Sequence, residues 1–296
     1  MTTEGLFDLQ GKKALVTGGA MGIGFGYATA LAEAGADVAI VDVNQAMAER
    51  AVEHIRQLGR DAVFISCDVS DQAQIEAMME QVVQRFGRLD IAVNNAGIIG
   101  SQAPDLEQDK NNWDKIIAIN LSGVWLCAQA QARQMKQQLP MGGKIINTAS
   151  GAASLVFADG AYSASKAGVV HLTHTLANQW GRCNINVNCI SPGSTLSPLL
   201  AHLPLSVRQT MRDKIPLGHL QRPSDTKGAI VFLASTASDY ITGVNLPVDG
   251  GLVLSKEDNG AERDTPPRVS PAEEIQELKT ELTALGIDHD EQGVRY

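Results

Sequence analysis

From Lys12 onward, short runs of β-branched and other apolar residues alternate with longer stretches whose apolar positions recur at helical spacing. The short runs predict strands over Ala14–Thr17, Asp37–Asp42, Ala62–Cys67, Ile91–Asn94, Lys144–Thr148 and Ile185–Ile190. Among the longer stretches, Gln74–Phe86 places Ile75, Met78, Met79, Val82 and Val83 on one face, as an amphipathic helix requires. Repeated strand–helix–strand units imply an α/β fold with a doubly wound parallel sheet and helices on both sides. No break in composition divides this region, so residues 1–254 are read as a single domain. Beyond Leu254 the pattern changes. Ser255–Val269 is polar and contains Pro266 and Pro267, which suits a linker. Ser270-Pro271-Ala272-Glu273 then reads as a capping box. Ile275, Leu278, Leu282 and Leu285 form one apolar stripe, and Gly286 is a stop. Residues 255–296 are therefore expected to be an acidic linker and a short amphipathic helix, a C-terminal helical extension of the domain.

The balance of charge restricts the partners. The 296 residues carry a formal net charge of −9, which disfavours nucleic acid and anionic membrane surfaces. Much of the excess lies in the tail: from Ser255 to Tyr296 there are 5 Lys/Arg and 11 Asp/Glu, a net of −6. Cys67, Cys127, Cys183 and Cys189 have no metal-type or CxxC spacing and lie in or beside apolar segments, which suits buried free thiols. With no basic-then-apolar leader pattern and no long apolar span, a cytoplasmic location is expected.

Candidate chemistry begins after the first strand, at Thr17-Gly18-Gly19-Ala20-Met21-Gly22-Ile23-Gly24. A glycine-rich turn between a strand and a helix lets backbone N–H groups, here those of Gly18, Met21, Gly22, Ile23 and Gly24, approach a pyrophosphate at the helix N-terminus. Glycines alone could serve only a tight turn. Asp42, however, ends the second strand 18 residues after Gly24, where a carboxylate can accept hydrogen bonds from ribose hydroxyls and repel a 2′-phosphate. Val43 and Asn44 supply no positive charge, and Met21 places none within the turn. The pattern favours NAD over NADP and a Rossmann-type sheet.

The spacing TGxxxGxG resembles that of the short-chain dehydrogenase/reductase family, and further motifs follow in that family's order from about residue 10 to 254. Asp68-Val69 is similar to its adenine-contacting pair, and Asn94-Asn95-Ala96-Gly97 to the segment beside the cofactor. Asn120, Ser150 and Tyr162-Ser163-Ala164-Ser165-Lys166 resemble the catalytic asparagine, serine and YxxxK motif. Pro192-Gly193, with Thr195 following, resembles the nicotinamide segment, and Asp249-Gly250-Gly251 the usual end of the fold. The resemblance implies hydride transfer between NAD(H) and an alcohol or ketone. It also implies Asn120, Ser150, Tyr162 and Lys166 as catalytic residues and a homotetramer built through the segments Asn111–Gln137 and Tyr162–Gly181, with a homodimer second.

The chemistry calls for such residues. Oxidising an alcohol removes a hydride from carbon and a proton from oxygen. A free tyrosine, with a pKa of about 10, is a poor base at neutral pH. Lys166, one helical turn after Tyr162, is expected to favour the phenolate. Ser150 would hydrogen-bond the substrate oxygen, and Asn120 would position a water in a proton relay. Each residue has a plainer structural reading; their order behind a nucleotide fingerprint favours catalysis. His171 and His174 lack a third ligand-type residue at metal spacing and read as a packed or interface pair.

Substrate contacts are expected from Ile98–Lys110, Gly151–Ala161 and Ser194–Arg222. Leu196, Leu199, Leu200, Leu203 and Leu205 in the last of these suit either a lid or an oligomer contact. Gly151–Phe157 carries no charge, so a neutral secondary alcohol or ketone such as a sugar, polyol or cyclic alcohol is expected. The competing functions are an NADP-linked carbonyl reductase of the ketoacyl type, opposed by Asp42, and a non-catalytic NAD-binding regulatory protein, opposed by the intact tetrad.

Overall fold

The computed structural model describes residues 2–101, 103–156, 159–196 and 205–255, with isolated positions between 276 and 294. Its seven-stranded sheet is parallel throughout. The strands are β1 (Lys13–Thr17), β2 (Asp37–Asp42), β3 (Ala62–Ser66), β4 (Ile91–Asn94), β5 (Gly143–Thr148), β6 (Ile185–Pro192) and β7 (Asn245–Val248), in the order β3-β2-β1-β4-β5-β6-β7. The six expected strands are present within two residues at each end. The seventh, missed in the sequence, is short and contains Pro247. Proline cannot donate to a ladder, and β7 pairs only with β6, at the edge.

Helices α1 (Gly22–Glu33), α2 (Gln45–Gln57), α3 (Gln72–Phe86), α4 (Lys110–Ile117), α5 (Val124–Gln137), α6 (Gly160–Trp180), α7 (Leu205–Asp213) and α8 (Lys227–Ala234) complete the domain. The stretch expected as one long helix, Asn111–Gln137, is continuous but changes winding at Ala118–Gly123, which is π-helical. Alternate residues along each strand feed two separate cores, as buried parallel strands require. Val16, Ile40, Val93 and Ile146 pack with Leu31 of α1, Ile55 of α2 and Leu233 of α8. Leu15, Ala92, Ile145 and Val187 pack with Met78 of α3, Met135 of α5 and Leu176 of α6.

The strand order reverses between β1 and β4. Their carboxyl ends, Thr17 and Asn94, are in register, and Asn147 follows on β5. That crevice is where a doubly wound sheet presents a ligand site.

Amides replace hydrocarbon at the carboxyl end of the second core. Asn94 Nδ2 donates to Gln131 Oε1 and Asn147 Oδ1, both at 3.0 Å, and Gln131 Nε2 donates back to Asn94 Oδ1 at 2.8 Å. Asn147 Nδ2 donates to Thr173 Oγ1 at 3.0 Å, and that hydroxyl donates to the Val169 carbonyl at 2.8 Å. All four side chains are buried. Because hydrogen bonds are directional, this chain fixes the position of α5 and α6 along β4 and β5 more tightly than packing alone.

In the tail, Gln276, Lys279, Thr280 and Thr283 are helical, and the Thr280 and Thr283 hydroxyls donate to carbonyls four residues earlier. The expected capping box and apolar stripe lie outside the described residues, as do Leu199, Leu200 and Leu203. Among the described residues, no helix is long and apolar enough to cross a membrane.

Thr173→Val keeps the shape of the side chain but strands Asn147 Nδ2 inside the protein. It should destabilise the fold by about 1–3 kcal/mol, the cost of a buried unpaired donor. Chemical denaturation checks this; an unchanged midpoint would show that the network contributes no stability.

Candidate active site

The glycine turn follows directly from β1. Gly18 and Gly22 have φ of +62° and +57°, which side chains with a Cβ rarely adopt. A Cβ on Gly24 would collide with the Gly18 carbonyl oxygen, and one on Gly18 would lie 2.8 Å from Ala96 Cα. The turn is clamped from β4: Asn95 Nδ2 donates to the carbonyls of Thr17 and Gly18, both at 3.1 Å. Thr17 Oγ1 accepts from the N–H groups of Asn95 (3.0 Å) and Ala96 (3.1 Å). The N-cap of α1 is Met21, whose side chain makes no capping hydrogen bond, and the first turn contains no acidic residue. Among the described residues, the leading amides of α1, those of Gly22, Ile23 and Gly24, thus have no side-chain acceptor and suit an anion such as a pyrophosphate.

Asp42 ends β2 beside this turn. Its Oδ2 accepts from Ala20 N–H (3.1 Å) and its Oδ1 from Asn44 N–H (3.0 Å), so backbone donors orient the carboxylate. Asp68 and Val69 follow β3. Asp68 Oδ1 accepts from Ser70 N–H (2.9 Å), and the Val69 carbonyl lies against Gly123, where a Cβ would come within 2.8 Å. These groups form a continuous cradle along the carboxyl edge of β1–β4, fitting the parts of a dinucleotide in turn.

Beyond the switch point, Asn120, Ser150, Tyr162 and Lys166 converge. A Cβ on Gly97 would lie 3.3 Å from Asn120 Oδ1 and 3.5 Å from Lys166 Nζ, so absence of a side chain there lets both groups approach. Asn120 sits in the π-helical turn and is fully buried. Its Oδ1 accepts from Ile98 N–H (2.9 Å), while Nδ2 donates to the Ile98 carbonyl (2.8 Å) and to Ser165 Oγ (3.3 Å). Both amide protons are therefore spent on holding the loop after β4 to α6. What the Asn120 side chain has left for a water is a lone pair of Oδ1.

Ser150, just after β5, accepts from Ala152 N–H at 3.1 Å, and its hydroxyl acts on the nearby Tyr162 phenol. Lys166 is 4 % exposed; its Nζ donates to the Thr148 carbonyl at 2.9 Å and lies 5.7 Å from the centre of the Tyr162 ring. Burial brings the lysine pKa down to about 8. Burial also raises the Tyr162 pKa; the Ser150 hydroxyl opposes this, and the Asp159 carboxylate adds to it. Ser150 thus lowers the tyrosine pKa in this geometry, alongside the nearby Lys166 ammonium to which the sequence pattern pointed.

Two carboxylates absent from the sequence-level site appear at the start of α6. Asp159 Oδ1 accepts from Tyr162 N–H at 2.6 Å, and Asp105 Oδ1 from Gly160 N–H at 3.0 Å. Asp159 Oδ2 is buried with no protein hydrogen bond among the described residues. An Asp three residues before the first satisfied helical N–H is a recognisable N-cap, so Asp159 was legible in principle; Asp105 reaches the helix from 55 residues away and was not. Pro192 ends β6, and a Cβ on Gly193 would lie 2.9 Å from Asp249 Cα, so this segment presses on the turn after β7. Thr195 is buried, its hydroxyl 2.7 Å from Gln221 Oε1. His171 and His174 meet edge to face with centroids 6.1 Å apart; among the described residues no group of three His, Cys, Asp or Glu could hold a metal ion.

A family model described as enoyl-(acyl carrier protein) reductase matches residues 18–253. The 2-dehydro-3-deoxy-D-gluconate 5-dehydrogenase of Dickeya dadantii is 42% identical over 251 residues, 83% of this chain and 96% of the relative. D-threitol dehydrogenase of Mycolicibacterium smegmatis is 42% identical over 253 residues, 84% and 95% of the two chains. The crystal structure of a gluconate 5-dehydrogenase from Burkholderia cenocepacia, in complex with NADP and tartrate, superposes with a TM-score of 0.81 at 35% identity, covering 86% of this chain and all of that one. These relatives are named as dehydrogenases, and the gluconate 5-dehydrogenase structure shares the fold of this chain. The chain belongs to the short-chain dehydrogenase/reductase family, whose members use a nicotinamide cofactor.

Proposed function

We propose that this protein is an NAD-dependent dehydrogenase of neutral secondary alcohols, with sugars, polyols and cyclic alcohols as the substrate class. The observation that carries this reading is the convergence of Tyr162, Ser150 and Lys166 beside a glycine cradle that ends at the Asp42 carboxylate. NAD, when bound, accepts the hydride from carbon. Gly18, Met21, Gly22, Ile23 and Gly24 would hold its pyrophosphate, Asp42 its adenosine ribose, Asp68 and Val69 its adenine, and Asn95–Gly97, Pro192, Gly193 and Thr195 its nicotinamide half.

The proton is handled by the protein. Ser150 Oγ, already oriented by Ala152 N–H, hydrogen-bonds the substrate hydroxyl and the Tyr162 phenol together. Tyr162 takes the hydroxyl proton as the alcohol becomes a ketone. Lys166, still mostly protonated at neutral pH with its pKa near 8, supplies positive charge close to the phenolate that forms. The free lone pair of Asn120 Oδ1 offers a water its place in a relay to solvent. Asp159 and Asp105 put negative charge at the start of α6, which disfavours an anionic substrate near Tyr162. The exposed Trp113 and Trp125, 47 % and 44 % accessible, sit on helices α4 and α5, and we read the surface of α4–α6 as the contact of a homotetramer.

Two tests follow from the site. Asp42→Ala removes the carboxylate that opposes a 2′-phosphate, and the ratio of kcat/KM for NAD to that for NADP should fall by about tenfold or more, the scale of a lost charge-assisted hydrogen bond. An unchanged ratio would mean that Asp42 does not read the ribose. The pH profile of alcohol oxidation separates the neighbours of Tyr162 by sign. Ser150 lowers the tyrosine pKa and Asp159 raises it, so oxidation, which needs the phenolate, should begin at higher pH in Ser150→Ala and at lower pH in Asp159→Asn. Asparagine retains the capping oxygen, so α6 keeps its first turn. Shifts in the same direction would contradict the assigned electrostatics.

A further inference from the structure

The chain leaves the sheet after β6 and returns to it at Gln221, and the two ends of this excursion are joined by one side chain. Gln221 is 6 % exposed. Its Oε1 accepts from Gly193 N–H at 2.9 Å and from the Thr195 hydroxyl at 2.7 Å, and its Nε2 donates to the Val248 carbonyl at 2.6 Å. Main-chain bonds run alongside, from Gln221 N–H to the Ser194 carbonyl at 3.0 Å and from Leu196 N–H to the Gln221 carbonyl at 2.7 Å. Two donors converge on one end of the amide and a carbonyl faces the other. Rotating the amide would set donor against donor and acceptor against acceptor, so its orientation is fixed.

This orientation determines what Thr195 can offer. A hydroxyl has one proton, and Gln221 Oε1 is its nearer acceptor, the alternative being the Gly193 carbonyl at 3.2 Å. With the proton held inward, Oγ1 presents lone pairs to a ligand and can only accept. Of the groups on a nicotinamide ring, the carboxamide NH2 is the donor that fits. The contact between the two ends does not depend on Gln221: Leu196 and Leu220 share an apolar cluster with Ile215 and Leu252. The glutamine therefore adds polar alignment to a junction already closed by packing.

We propose that Gln221 is a positioning residue for the cofactor: it aligns Gly193–Thr195 and sets the Thr195 hydroxyl as an acceptor for the nicotinamide carboxamide amine. The inference rests on the placement of the nicotinamide at Gly193–Thr195 given above. The sequence contains no local sign of it, since Gln221 lies 26 residues from Thr195 in an otherwise ordinary loop.

Calorimetric binding of three ligands tests it: NAD, its 3-acetylpyridine analogue, in which a methyl group replaces the amide NH2, and ADP-ribose, which lacks the ring. Gln221→Leu should weaken NAD by about 3- to 10-fold, the range for one hydrogen bond, while changing the analogue and ADP-ribose by less than about twofold. Thr195→Val removes the proposed acceptor while Gln221 keeps its bonds to Gly193 and Val248, and should lose the wild-type preference for NAD over the analogue; if the leucine variant does not fold, this variant decides alone. The proposal is overturned if Gln221→Leu weakens NAD and the analogue equally, if it weakens ADP-ribose as much as NAD, or if Thr195→Val keeps the preference for NAD over the analogue. Failure of the underlying placement shows itself separately, in the wild type, as equal affinity for NAD and the analogue before any substitution is made.

Discussion

Lys166 carries its ammonium into the interior beneath the crevice, 2.9 Å from the Thr148 carbonyl, and a buried charge is tolerated only where polar groups are held firmly around it. Much of the surrounding structure meets that requirement. The helix that bears Lys166 is tied to β5 by Asn147 and Thr173, and β5 is tied to β4 and α5 by Asn94 and Gln131. Gly97 has no side chain to displace the ammonium, and Asn120 is locked to Ile98 directly beside it. The depressed lysine pKa is the electrostatic trace of the same burial, and the charge is retained near neutrality because the pKa falls only to about 8. A buried ammonium is thus maintained by rigidity, to which the amide network contributes.

The rigid half of the molecule was legible in the sequence because its signals are local. Hydrophobic alternation located six strands, and the glycine turn with Asp42 located the crevice before any coordinates. Strand β7 was missed because Pro247 and partial exposure erase the pattern of a buried strand; its place is set by pairing with β6 alone. The π-helical turn at Asn120 has no local signal in the sequence, since winding depends on how α4 and α5 meet neighbouring elements. Asp105 and Gln221 were invisible for the same reason, because each acts on a segment distant in the chain. The direction of the Tyr162 shift also required coordinates. Sequence spacing brings Lys166 near the phenol, whereas burial and Asp159, which push the other way, are properties of the packed site.

Cofactor and substrate ends of the crevice use different physics. The groups proposed to hold the cofactor are backbone amides and one carboxylate, set by strand register and a positive-φ turn. Near Tyr162, Asp159 Oδ2 is buried without a hydrogen bond among the described residues, and the sequence carries no charged residue from Gly151 to Phe157. Hydroxyl donors on the substrate would satisfy that oxygen, whereas a carboxylate would be repelled. Relatives 42% identical to this chain are named for a sugar acid and for a tetritol.

The central claim is that Tyr162 takes a proton from a neutral alcohol as NAD takes the hydride. Initial rates of NAD reduction across neutral polyols, sugars, cyclic alcohols and sugar acids, measured for the wild type and for Tyr162→Phe, test it directly. The account predicts turnover of a neutral alcohol by the wild type, and turnover lost in the variant while NAD affinity is retained. Substantial activity in Tyr162→Phe, or wild-type activity confined to the sugar acids, would contradict it.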